Sequence, residues 1–318
     1  MDIVEVDAST APDEVLEQIY LVESEASAEL LGSAPAPTLA ERVARYRNPG
    51  TGLRWRWLVH ADHEPAGLAE LQVHSETFAI GDVLVRPAFR RRGIGRALFD
   101  VMCGAAREHS IPSFFGHHGS EAGAGFAAAV GARADLRDVK SVLDLQEAEL
   151  PAPPVGLELR TWIGPVPDEL METFVAARNA MNDAPTPGGI GDIPWTIERQ
   201  RDDDATLVAR GTPPYTTVVL DGGEVVAFTA VRVQEPPCPY VTTDDTAVIP
   251  SHRGRGLAYA VKLENLRRVR EARPDVERVG TMNAEHNHAM RAVNTKLGFV
   301  PTVYLTTAVV ELRQDERS

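Results

Sequence analysis

Two arginine- and glycine-rich turns are the residues of this 318-residue chain best suited to holding a phosphate. They occupy 82–95 and 245–258, and Asp, Val, Pro, Arg and Gly recur in both at identical spacing. In the first copy an apolar strand enters the turn and a helical apolar period follows it, which predicts a strand-to-helix junction. Free backbone N–H groups and the positive end of the helix dipole favour an anion at such a junction. Glycine has no Cβ and lets the anion approach closely.

Three kinds of phosphate-binding turn could use this geometry, and spacing separates them. The P-loop needs a Gly-Lys-Ser/Thr ending, which neither turn has. The dinucleotide fingerprint needs a third small residue, where Leu98 stands after Gly93 and Gly95. What remains is Val-x-Pro followed by Arg-x-x-Gly-x-Gly/Ala, which resembles the acyl-CoA pyrophosphate loop of the GNAT superfamily of N-acetyltransferases. A basic solvated turn is the alternative, and two copies at equal spacing argue against it.

A second signature near the end of the chain contains three carboxamides, Asn283, Asn287 and Asn294. The segment 281–299 predicts a strand end, a loop and a helix, with Asn287 as N-cap and Gly298 as the C-terminal stop. The buried stripe of this helix consists of Met290, Val293 and Leu297. Asn294 falls on the same stripe, where an amide without a partner costs about 1–3 kcal/mol. Either backbone groups of the neighbouring strand bond Asn294, or it faces the pantetheine arm or sulfur of a bound CoA.

This spacing resembles the second CoA-contacting helix of the same superfamily. The resemblance implies that Asn283 and Asn287 lie beside the cofactor, acetyl-CoA. Many members carry a tyrosine at the position of Asn294, which protonates the departing thiolate, and an amide cannot do so at neutral pH. Another group, for which Tyr304 and water are the candidates, then donates that proton, or the thiolate leaves unassisted.

The resemblance implies acyl-CoA ligands in both copies and an oxyanion-stabilising strand N–H near Val248. In the second copy they are Ala247, Val248, Arg253, Gly254, Arg255, Gly256, Leu257, Ala258, Asn283, Asn287 and Asn294. In the first copy they are Val85, Arg90, Arg91, Arg92, Gly93, Ile94 and Gly95.

Acetyl transfer to an amine also needs a base, because the ammonium form must lose a proton. The resemblance implies a carboxylate on the strand ahead of the phosphate turn, where Asp244 and Asp245 stand. Alternation along a strand puts them on opposite faces. Asp245 recurs as Asp82 in the first copy, which indicates a structural role, so Asp244 is the preferred base. Alternatively, both carboxylates only bond nearby backbone donors.

The first copy lacks the second signature. Alignment of Gly131 with Gly298 puts Ser120, Gly123, Ala127 and Val130 at the positions of Asn287, Met290, Asn294 and Leu297. No amide is left, and glycines at 123 and 125 weaken the helix by about 1 kcal/mol each relative to alanine. We therefore expect a binding or structural first copy and a catalytic second copy. This tandem order, with the stronger second copy, is also similar to that of mycothiol synthases within the superfamily.

The elements that must position these residues follow the same order in both copies. The predicted elements ahead of the turns are helices at 13–29, 38–46, 167–181 and 196–201, and strands at 56–60, 66–73, 216–220 and 225–233. Asp221-Gly222-Gly223 is a strong hairpin signal between the last two strands. Both copies continue with strand, turn, helix, strand, helix and strand. This order predicts an α/β fold of two tandem GNAT-like domains, each a mixed, mostly antiparallel twisted sheet flanked by helices.

A proline-rich segment at 150–156 predicts a stiff linker between an N-terminal domain, 1–149, and a C-terminal domain, 157–318. The formal net charge of −14 argues against nucleic-acid binding and favours a cationic amine over an acidic acceptor. The N-terminus lacks a basic region followed by an apolar stretch, so we expect a cytoplasmic protein without a membrane partner. A monomer and a homodimer are equally compatible with the sequence.

Several weaker patterns have two interpretations. The resemblance implies that the loop 182–192 shapes the acceptor pocket, where Asp183, Asp192 and Trp195 could receive a cationic, partly apolar amine; the alternative is a solvated loop. The pairs His117-His118 and His286-x-His288 lack a third ligand at helical spacing, so no metal is expected. The acidic run 202–204 predicts a solvated turn.

The resemblance as a whole implies an N-acetyltransferase that moves the acetyl group of acetyl-CoA to a primary amine of a small molecule, directly in a ternary complex. Catalysis is expected in the C-terminal domain. The alternatives are a non-catalytic acyl-CoA-binding or scaffold protein, which the missing tyrosine and the degraded first copy favour, and a mycothiol-synthase-like acyltransferase.

Overall fold

The computed structural model describes residues 1–30, 34–50, 52–75, 78–183, 194–234 and 238–312. The first half of the chain forms strands β1 (Asp2–Glu5), β2 (Leu53–Ala61), β3 (Glu64–Ser75), β4 (Phe78–Val85), β5 (Ser113–His118) and β6 (Arg133–Asp144), with helices α1 (Asp13–Ser27), α2 (Leu39–Arg47), α3 (Ile94–Glu108) and α4 (Glu121–Ala129). The second half forms strands β7 (Glu158–Ile163), β8 (Pro214–Asp221), β9 (Glu224–Arg232), β10 (Tyr240–Val248), β11 (Arg278–Ala284) and β12 (Val300–Glu311), with helices α5 (Met171–Arg178), α6 (Ile197–Ala209), α7 (Leu257–Ala272) and α8 (His288–Lys296). The predicted mixed, mostly antiparallel α/β architecture and its repeated order of elements are confirmed.

Local sequence accounts for where several of these elements begin and end. The side chain of Thr38 accepts a hydrogen bond from the Glu41 N–H and begins α2 with a capping box. Thr196 caps α6 in the same way. The β8–β9 hairpin turns through Gly222 and Gly223, whose φ angles of +62° and +86° are those of a two-residue turn that glycine favours.

All twelve strands belong to one sheet, in the order β1-β2-β3-β4-β5-β12-β6-β11-β10-β9-β8-β7. The last strand of each half is exchanged with the other half. β12 pairs antiparallel with β5, where Thr306 lies opposite His118, and β6 pairs antiparallel with β11, where Val139 lies opposite Asn283. β6 and β12 pair with each other at the centre of the sheet. Each half therefore completes its strand arrangement with a strand from the other half, which no local sequence signal indicates.

Helices cover both faces of each half of the sheet. In the first half, α1 buries Leu16 and Ile19 in one cluster, and α3 buries Leu98 and Met102 in another. In the second half, α5 packs Phe174 against Val218 and Phe228, while α7 packs against the face that carries Val219 and Ala227. Full burial of a side chain of this size is worth about 1.5–3 kcal/mol. These contacts hold the strands that carry the two Arg/Gly turns.

Helix α6 is longer than predicted and corrects the interpretation of the acidic run. Residues 202–204 lie inside the helix rather than in a solvated turn. Asp204 is buried, accepting hydrogen bonds from the Val166 N–H at 3.0 Å and from the Gln200 side chain at 2.9 Å. The prediction of a solvated turn is wrong because the helix directs Asp204 toward the interior, where the Val166 N–H and the Gln200 side chain satisfy its carboxylate.

Candidate active site

Both parallel strand pairs of the sheet open into a fork. β10 and β11 pair only at 240–242 with 278–280, and β4 and β5 share the single pair Ile80 with Phe115. Beyond the fork, β10 continues to Val248 with β9 as its partner. The Ile249 N–H donates to Val226 on β9, so by alternation the N–H and carbonyl of Val248 point away from β9 and into the fork. The fork therefore offers an edge of β10 from which the Val248 N–H points into the opening.

The second Arg/Gly turn lies directly after this edge. Gly256 begins α7 with a φ of +76°, and no side chain caps the helix. A Cβ at Gly254 or Gly256 would meet no described atom within 4 Å, so the turn is open on that side. Nε of Arg253 donates to the Val248 carbonyl at 3.1 Å, and an Arg255 N–H donates to the Ser251 carbonyl at 3.4 Å. The arginines thus fold the turn back on the strand end and leave the first N–H groups of α7, at Leu257 and Ala258, unpaired.

The first turn repeats this geometry with one difference. Gly93 begins α3 uncapped with a φ of +81°, and Nε of Arg90 donates to the Val85 carbonyl at 3.2 Å. Arg91 also has a positive φ, +65°. Arg92 forms an ion pair with Asp62 at 2.7 Å. The two turns differ in what lies against the start of the following helix, which in the first copy is at Gly95 and Ile94.

At Gly95, a Cβ would lie 3.1 Å from the ring of Phe126 on α4, and Ile94 is itself buried. Phe126 also packs edge-on against Phe99 of α3, with ring centroids 6.2 Å apart. The corresponding residues of the second copy are Ala258 and Val293. The aromatic side chain therefore lies over the first turn of α3, at a place where the second copy has a smaller one.

The carboxamides of the second signature lie together between β11 and α8. Asn287 caps α8 by accepting a hydrogen bond from the Met290 N–H at 3.1 Å, and Gly298 follows the helix with a φ of +93°. Both predicted helix signals are confirmed. Asn294 is 4% exposed, and its side-chain NH₂ donates to the Asn283 carboxamide oxygen at 2.6 Å. The partner is thus a side chain of the adjacent strand and not its backbone.

One polar atom of this pair has no partner among the described residues. The carboxamide oxygen of Asn294 is buried without a hydrogen bond. Because a buried acceptor without a donor costs on the order of 1–3 kcal/mol, its persistence is consistent with a donor brought by a ligand. The amide N–H groups of a pantetheine arm in the fork are donors of the required kind.

The two aspartates ahead of the turn are not on opposite faces, because β10 bulges there. The register between β10 and β9 shifts between Thr243 and Thr246, which adds one residue to β10 and interrupts alternation. Both carboxylates enter one charged cluster. Asp244 pairs with Arg232 at 2.8 Å, and Asp245 with Arg178 at 3.1 Å.

The cluster gives the two carboxyl groups different chemistry. Burial, followed by the negative charge of Asp244, raises the pKa of Asp245 to about 6. Asp244 accepts a hydrogen bond from the Arg232 guanidinium at 2.8 Å. The raised pKa makes Asp245 a candidate proton acceptor beside Asp244, the candidate preferred from the sequence.

Tyr304 does not join this group. It lies on β12 opposite Val139 of β6, which in turn lies opposite Asn283 of β11. A whole strand thus separates Tyr304 from Asn283, about 10 Å at the backbone. Tyr304 is 43% exposed, and the Arg137 guanidinium lies 5.2 Å from its ring centre. The strand exchange causes this separation, because it inserts β6 between β12 and β11, which would be neighbours if each half kept its own last strand.

The first half contains a polar cavity of about 310 Å³ between α1, α2 and the sheet. Asp82 and Leu84 of β4 line it beside His117, Tyr46 and Glu70. Burial, followed by the charge of Glu70, raises the pKa of Asp82 to about 6, although water still reaches the carboxyl through the cavity. Burial likewise lowers the pKa of His117. The first copy thus keeps an ionisable pocket that the sequence did not indicate.

A larger cleft of about 610 Å³ lies between the two halves. One wall comes from the start of α2 and the segment before it, and the other from the end of α6 and the end of β9. Thr242 and Thr243 of β10 and Thr281 and Met282 of β11 form part of its floor, which places the β10–β11 fork in the cleft. Sequence reasoning missed this cleft because its walls are more than 150 residues apart in the chain.

The predicted acceptor loop, 182–192, lies largely outside the described residues, including Asp192, as does the Asp183 side chain. Trp195 contacts two guanidinium groups. That of Arg178 lies 3.7 Å from the centre of its ring, and that of Arg199 lies 4.1 Å from it. Its indole N–H donates to the Gln200 side chain at 2.8 Å. Trp195 therefore packs into the Asp245 cluster.

Within the described ranges no three His, Cys, Asp or Glu side chains come together as a metal site. The helices of the same ranges include none long and apolar enough to cross a bilayer.

Comparison with known proteins agrees with these features. The sequence profile of the acetyltransferase (GNAT) family matches residues 20–122 and 175–299. Mycothiol acetyltransferase of Nocardia farcinica is 29% identical over 298 residues, which cover 87% of this chain and 91% of that protein. Mycothiol acetyltransferase of Actinosynnema mirum is 33% identical over 156 residues, which cover 47% of this chain and 50% of that protein.

Solved structures show the same tandem arrangement. A tandem GNAT protein from the clavulanic acid biosynthesis pathway superposes with a TM-score of 0.82 at 28% identity and covers 99% of both chains. A GCN5-related N-acetyltransferase from Sphaerobacter thermophilus superposes with a TM-score of 0.72 at 18% identity, over 98% of this chain and 96% of that one, and is alike in fold.

Proposed function

This chain belongs to the acetyltransferase (GNAT) family, as a tandem acyltransferase distantly like mycothiol synthase, and on that premise we propose that it acetylates a primary amine of a small molecule. The donor is acetyl-CoA, which supplies an activated thioester. Transfer is direct, in a ternary complex at the β10–β11 fork of the second copy. The observation that carries this proposal is the open, uncapped turn at Gly256 directly beyond that fork.

The residues of the second copy fit the donor. The free N–H groups at the start of α7 suit the pyrophosphate, since a helix N-terminus favours an anion. The edge of β10 that faces the fork suits the extended pantetheine arm, because an extended chain with amide groups can lie along a strand edge as an added strand does. On the α8 side of the fork, the carboxamide oxygen of Asn294 has no partner among the described residues and could accept a hydrogen bond from an amide N–H of the same arm. Asn283 orients Asn294 through their hydrogen bond.

The chain's own groups then serve the transfer. Asp245 takes a proton from the ammonium group, directly or through water, because its pKa is raised to about 6, closer to neutral pH. Arg178 holds its position. The Val248 N–H points into the fork and would stabilise the oxyanion. With Tyr304 remote and Asn294 unable to act as an acid, water protonates the departing thiolate.

A difference in packing supports assignment to the second copy. Phe126 lies against Gly95 in the first copy, at the place that an arm crossing the first fork would use. The first copy also has Ala127 where Asn294 stands. The first copy thus keeps the phosphate turn but has less room beside it and no amide pair.

The proposal is tested with the full chain by two measurements made together. Calorimetric titration with acetyl-CoA measures binding, and release of free thiol across a broad amine panel measures transfer. We expect both. Binding without thiol release from any amine would contradict catalysis and favour the acyl-CoA-binding or scaffold alternative. Absence of binding would contradict the proposal altogether.

Two narrower alternatives rest on specific observations. The cavity beside Asp82 favours catalysis in the first copy, in which case Asp82→Asn would abolish turnover and Asp245→Asn would not. The relatives named mycothiol acetyltransferase favour an acceptor of the kind that those enzymes use. Including that acceptor in the amine panel tests this directly.

A further inference from the structure

We propose that the cleft between the two halves binds an anionic group, a carboxylate or phosphate, on the amine acceptor. This inference names the acceptor class of the site above and therefore rests on the proposed function. It starts from the charge of the cleft, which is opposite to that of the protein. The chain has a formal net charge of −14, yet Arg42, Arg45, Lys140, Arg210 and Arg232 all line this cleft.

Few carboxylates oppose these cations. Glu41 is the acid in the lining, and its carboxylate already accepts the Thr38 N–H. Arg42 pairs with Glu23 and Arg232 with Asp244. The remaining three cations form no ion pair with a carboxylate among the described residues, although Arg45 and Lys140 also line the neighbouring cavity that contains Asp82 and Glu70.

Each of these three cations instead uses a neutral partner or none. Arg210 donates through Nε to the Asn48 carbonyl at 2.5 Å, and Lys140 donates to the Leu30 carbonyl at 3.4 Å. Arg45 has no hydrogen bond or ion pair among the described residues. Arg45, Lys140 and Arg210 come from different elements, α2, β6 and the end of α6, so only the fold brings them together.

The proximity of these cations is unfavourable in the absence of an anion. Burial, followed by the positive charges of Arg45, Arg54 and Arg232, lowers the pKa of Arg210 to about 10, and the charge of Asp203 opposes this shift. Burial also lowers the pKa of Lys140. Like charges gathered in a partly desolvated cleft destabilise the fold unless a ligand of opposite charge neutralises them.

The phosphates of the acyl donor do not account for this charge. The cleft meets β10 at 240–243, whereas the phosphate turn begins after Val248 at the other end of that strand. Five residues of extended strand, from Thr243 to Val248, span about 17 Å. The cationic cleft and the phosphate turn are therefore separate sites on one strand.

The position of the cleft fits an acceptor. Thr242, Thr243 and Thr281 line it at the fork, and Arg232, which also lines it, bonds Asp244 beside the proposed base. A volume of about 610 Å³ holds a small molecule and no folded domain. An acceptor with its anionic group on Arg45, Arg210 and Lys140 would direct its amine toward the fork. Amino acids and amino-sugar phosphates carry both groups.

The test uses the full chain and probes that need no knowledge of the acceptor. Calorimetry with the chain saturated with CoA compares inorganic phosphate, glycine and glycinamide, which has the amine of glycine but no carboxylate. We expect phosphate or glycine to bind at least about tenfold more tightly than glycinamide. The stronger of the two identifies the anionic group. Binding of glycinamide as tight as that of both phosphate and glycine would overturn the proposal.

Matched variants locate the site. Arg45→Gln and Arg210→Gln should each weaken binding of the preferred anion by about fivefold or more, since a charge-assisted hydrogen bond is lost. Arg210→Lys should restore part of the loss. The control is Arg201→Gln, which removes an exposed guanidinium from the same helix, where it pairs with Asp168 outside the cleft. Equal binding by all four proteins and the wild type would contradict the assignment.

CoA titration of the same variants separates this inference from the proposed function. If CoA binds and transfer occurs but anions do not discriminate, only the acceptor class is wrong. If the wild type binds anions without CoA but shows no CoA binding, the proposed function fails, and with it the assignment of the anion as part of an acceptor.

Discussion

At the residue scale, the chemistry depends on how neighbouring charges and burial set the pKa of a carboxyl group. Asp244 and Asp245 are adjacent in sequence, but a bulge puts both in one cluster with Arg178 and Arg232. Burial and the neighbouring negative charge of Asp244 raise the pKa of Asp245, and the Arg178 and Arg232 guanidinium groups oppose that shift.

We therefore expect a pH dependence from Asp245. Its pKa is raised to about 6, so the basic form is lost as the pH falls through 6, and kcat/KM should fall with it. Asp245→Asn should remove most activity, by about 10²-fold or more, because a positioned base contributes this much. Asp244→Asn is the matched comparison, with a smaller effect and an acid limb moved to lower pH, because the charge of Asp244 helps to raise the pKa of Asp245. An unchanged acid limb in Asp245→Asn would contradict the assignment of the base.

The carboxamide pair makes a second prediction at this scale. Asn294→Ala removes the donor to Asn283 and leaves that carboxamide oxygen without its partner. We expect a loss of about 1–3 kcal/mol in the free energy of unfolding, measured by chemical denaturation. Bound CoA should protect the wild type against denaturant more than the variant. Equal protection of both proteins by CoA would show that Asn294 has only a structural role.

At the element scale, the helices of the described residues begin in two ways. Thr38, Ser120, Thr196 and Asn287 each cap a helix with a side chain, whereas α1, α3, α5 and α7 begin without one. Among these four, α3 and α7 begin at a glycine in the left-handed conformation, and both follow an Arg/Gly turn. A helix start of this kind suits an anionic ligand, whose oxygens can accept the first N–H groups.

Helix α6 makes a testable contrast within one acidic run. Asp204→Ala leaves the buried Val166 N–H without an acceptor and should cost about 1–3 kcal/mol of stability. Asp202→Ala removes an exposed carboxylate from the same helix and should change stability by no more than about 0.5 kcal/mol. Thermal unfolding of both variants provides the measurement. Equal midpoints would contradict the buried role of Asp204.

Sequence reasoning succeeds at this scale where the signal is local. The cap at Asn287, the stop at Gly298, the hairpin at Gly222-Gly223 and both strand-turn-helix junctions follow from residues close in the chain. The extent of α6 and the faces of Asp244 and Asp245 do not, because tertiary contacts decide them. A bulge has no reliable sequence signal when neither of its residues is glycine.

At the scale of the whole molecule, the exchange of β6 and β12 joins the halves into one sheet. This pairing could not be predicted from the chain, since no residue pattern in β6 or β12 indicates which half each strand completes. It also explains two failures of local reasoning. Tyr304 is separated from β11 by β6, and cations from different halves line one cleft.

The exchange predicts that neither half is stable alone. Residues 1–149 expressed separately would leave the edge of β5 without β12, and residues 157–318 would leave β11 without β6. We expect each fragment to be unfolded or aggregated. A buried strand edge without a partner leaves backbone N–H and carbonyl groups without hydrogen bonds, and such an edge pairs readily with another chain. Co-expression should restore a soluble complex, since the backbone between the halves, 148–157, contains no helix or strand. A folded monomeric fragment, seen by circular dichroism and gel filtration, would contradict this dependence.

The measurement that tests the central claim most directly compares turnover in two matched turn variants. Gly256→Ala and Gly93→Ala place a Cβ on glycines with φ near +80°, at uncapped helix starts with open space around them. The backbone strain is of similar size in both, of order 1–3 kcal/mol. With acetyl-CoA and an amine that the wild type acetylates, Gly256→Ala should lose at least about tenfold in kcat/KM, while Gly93→Ala stays within about twofold of the wild type. The reverse pattern would contradict catalysis at the second fork and assign it to the first.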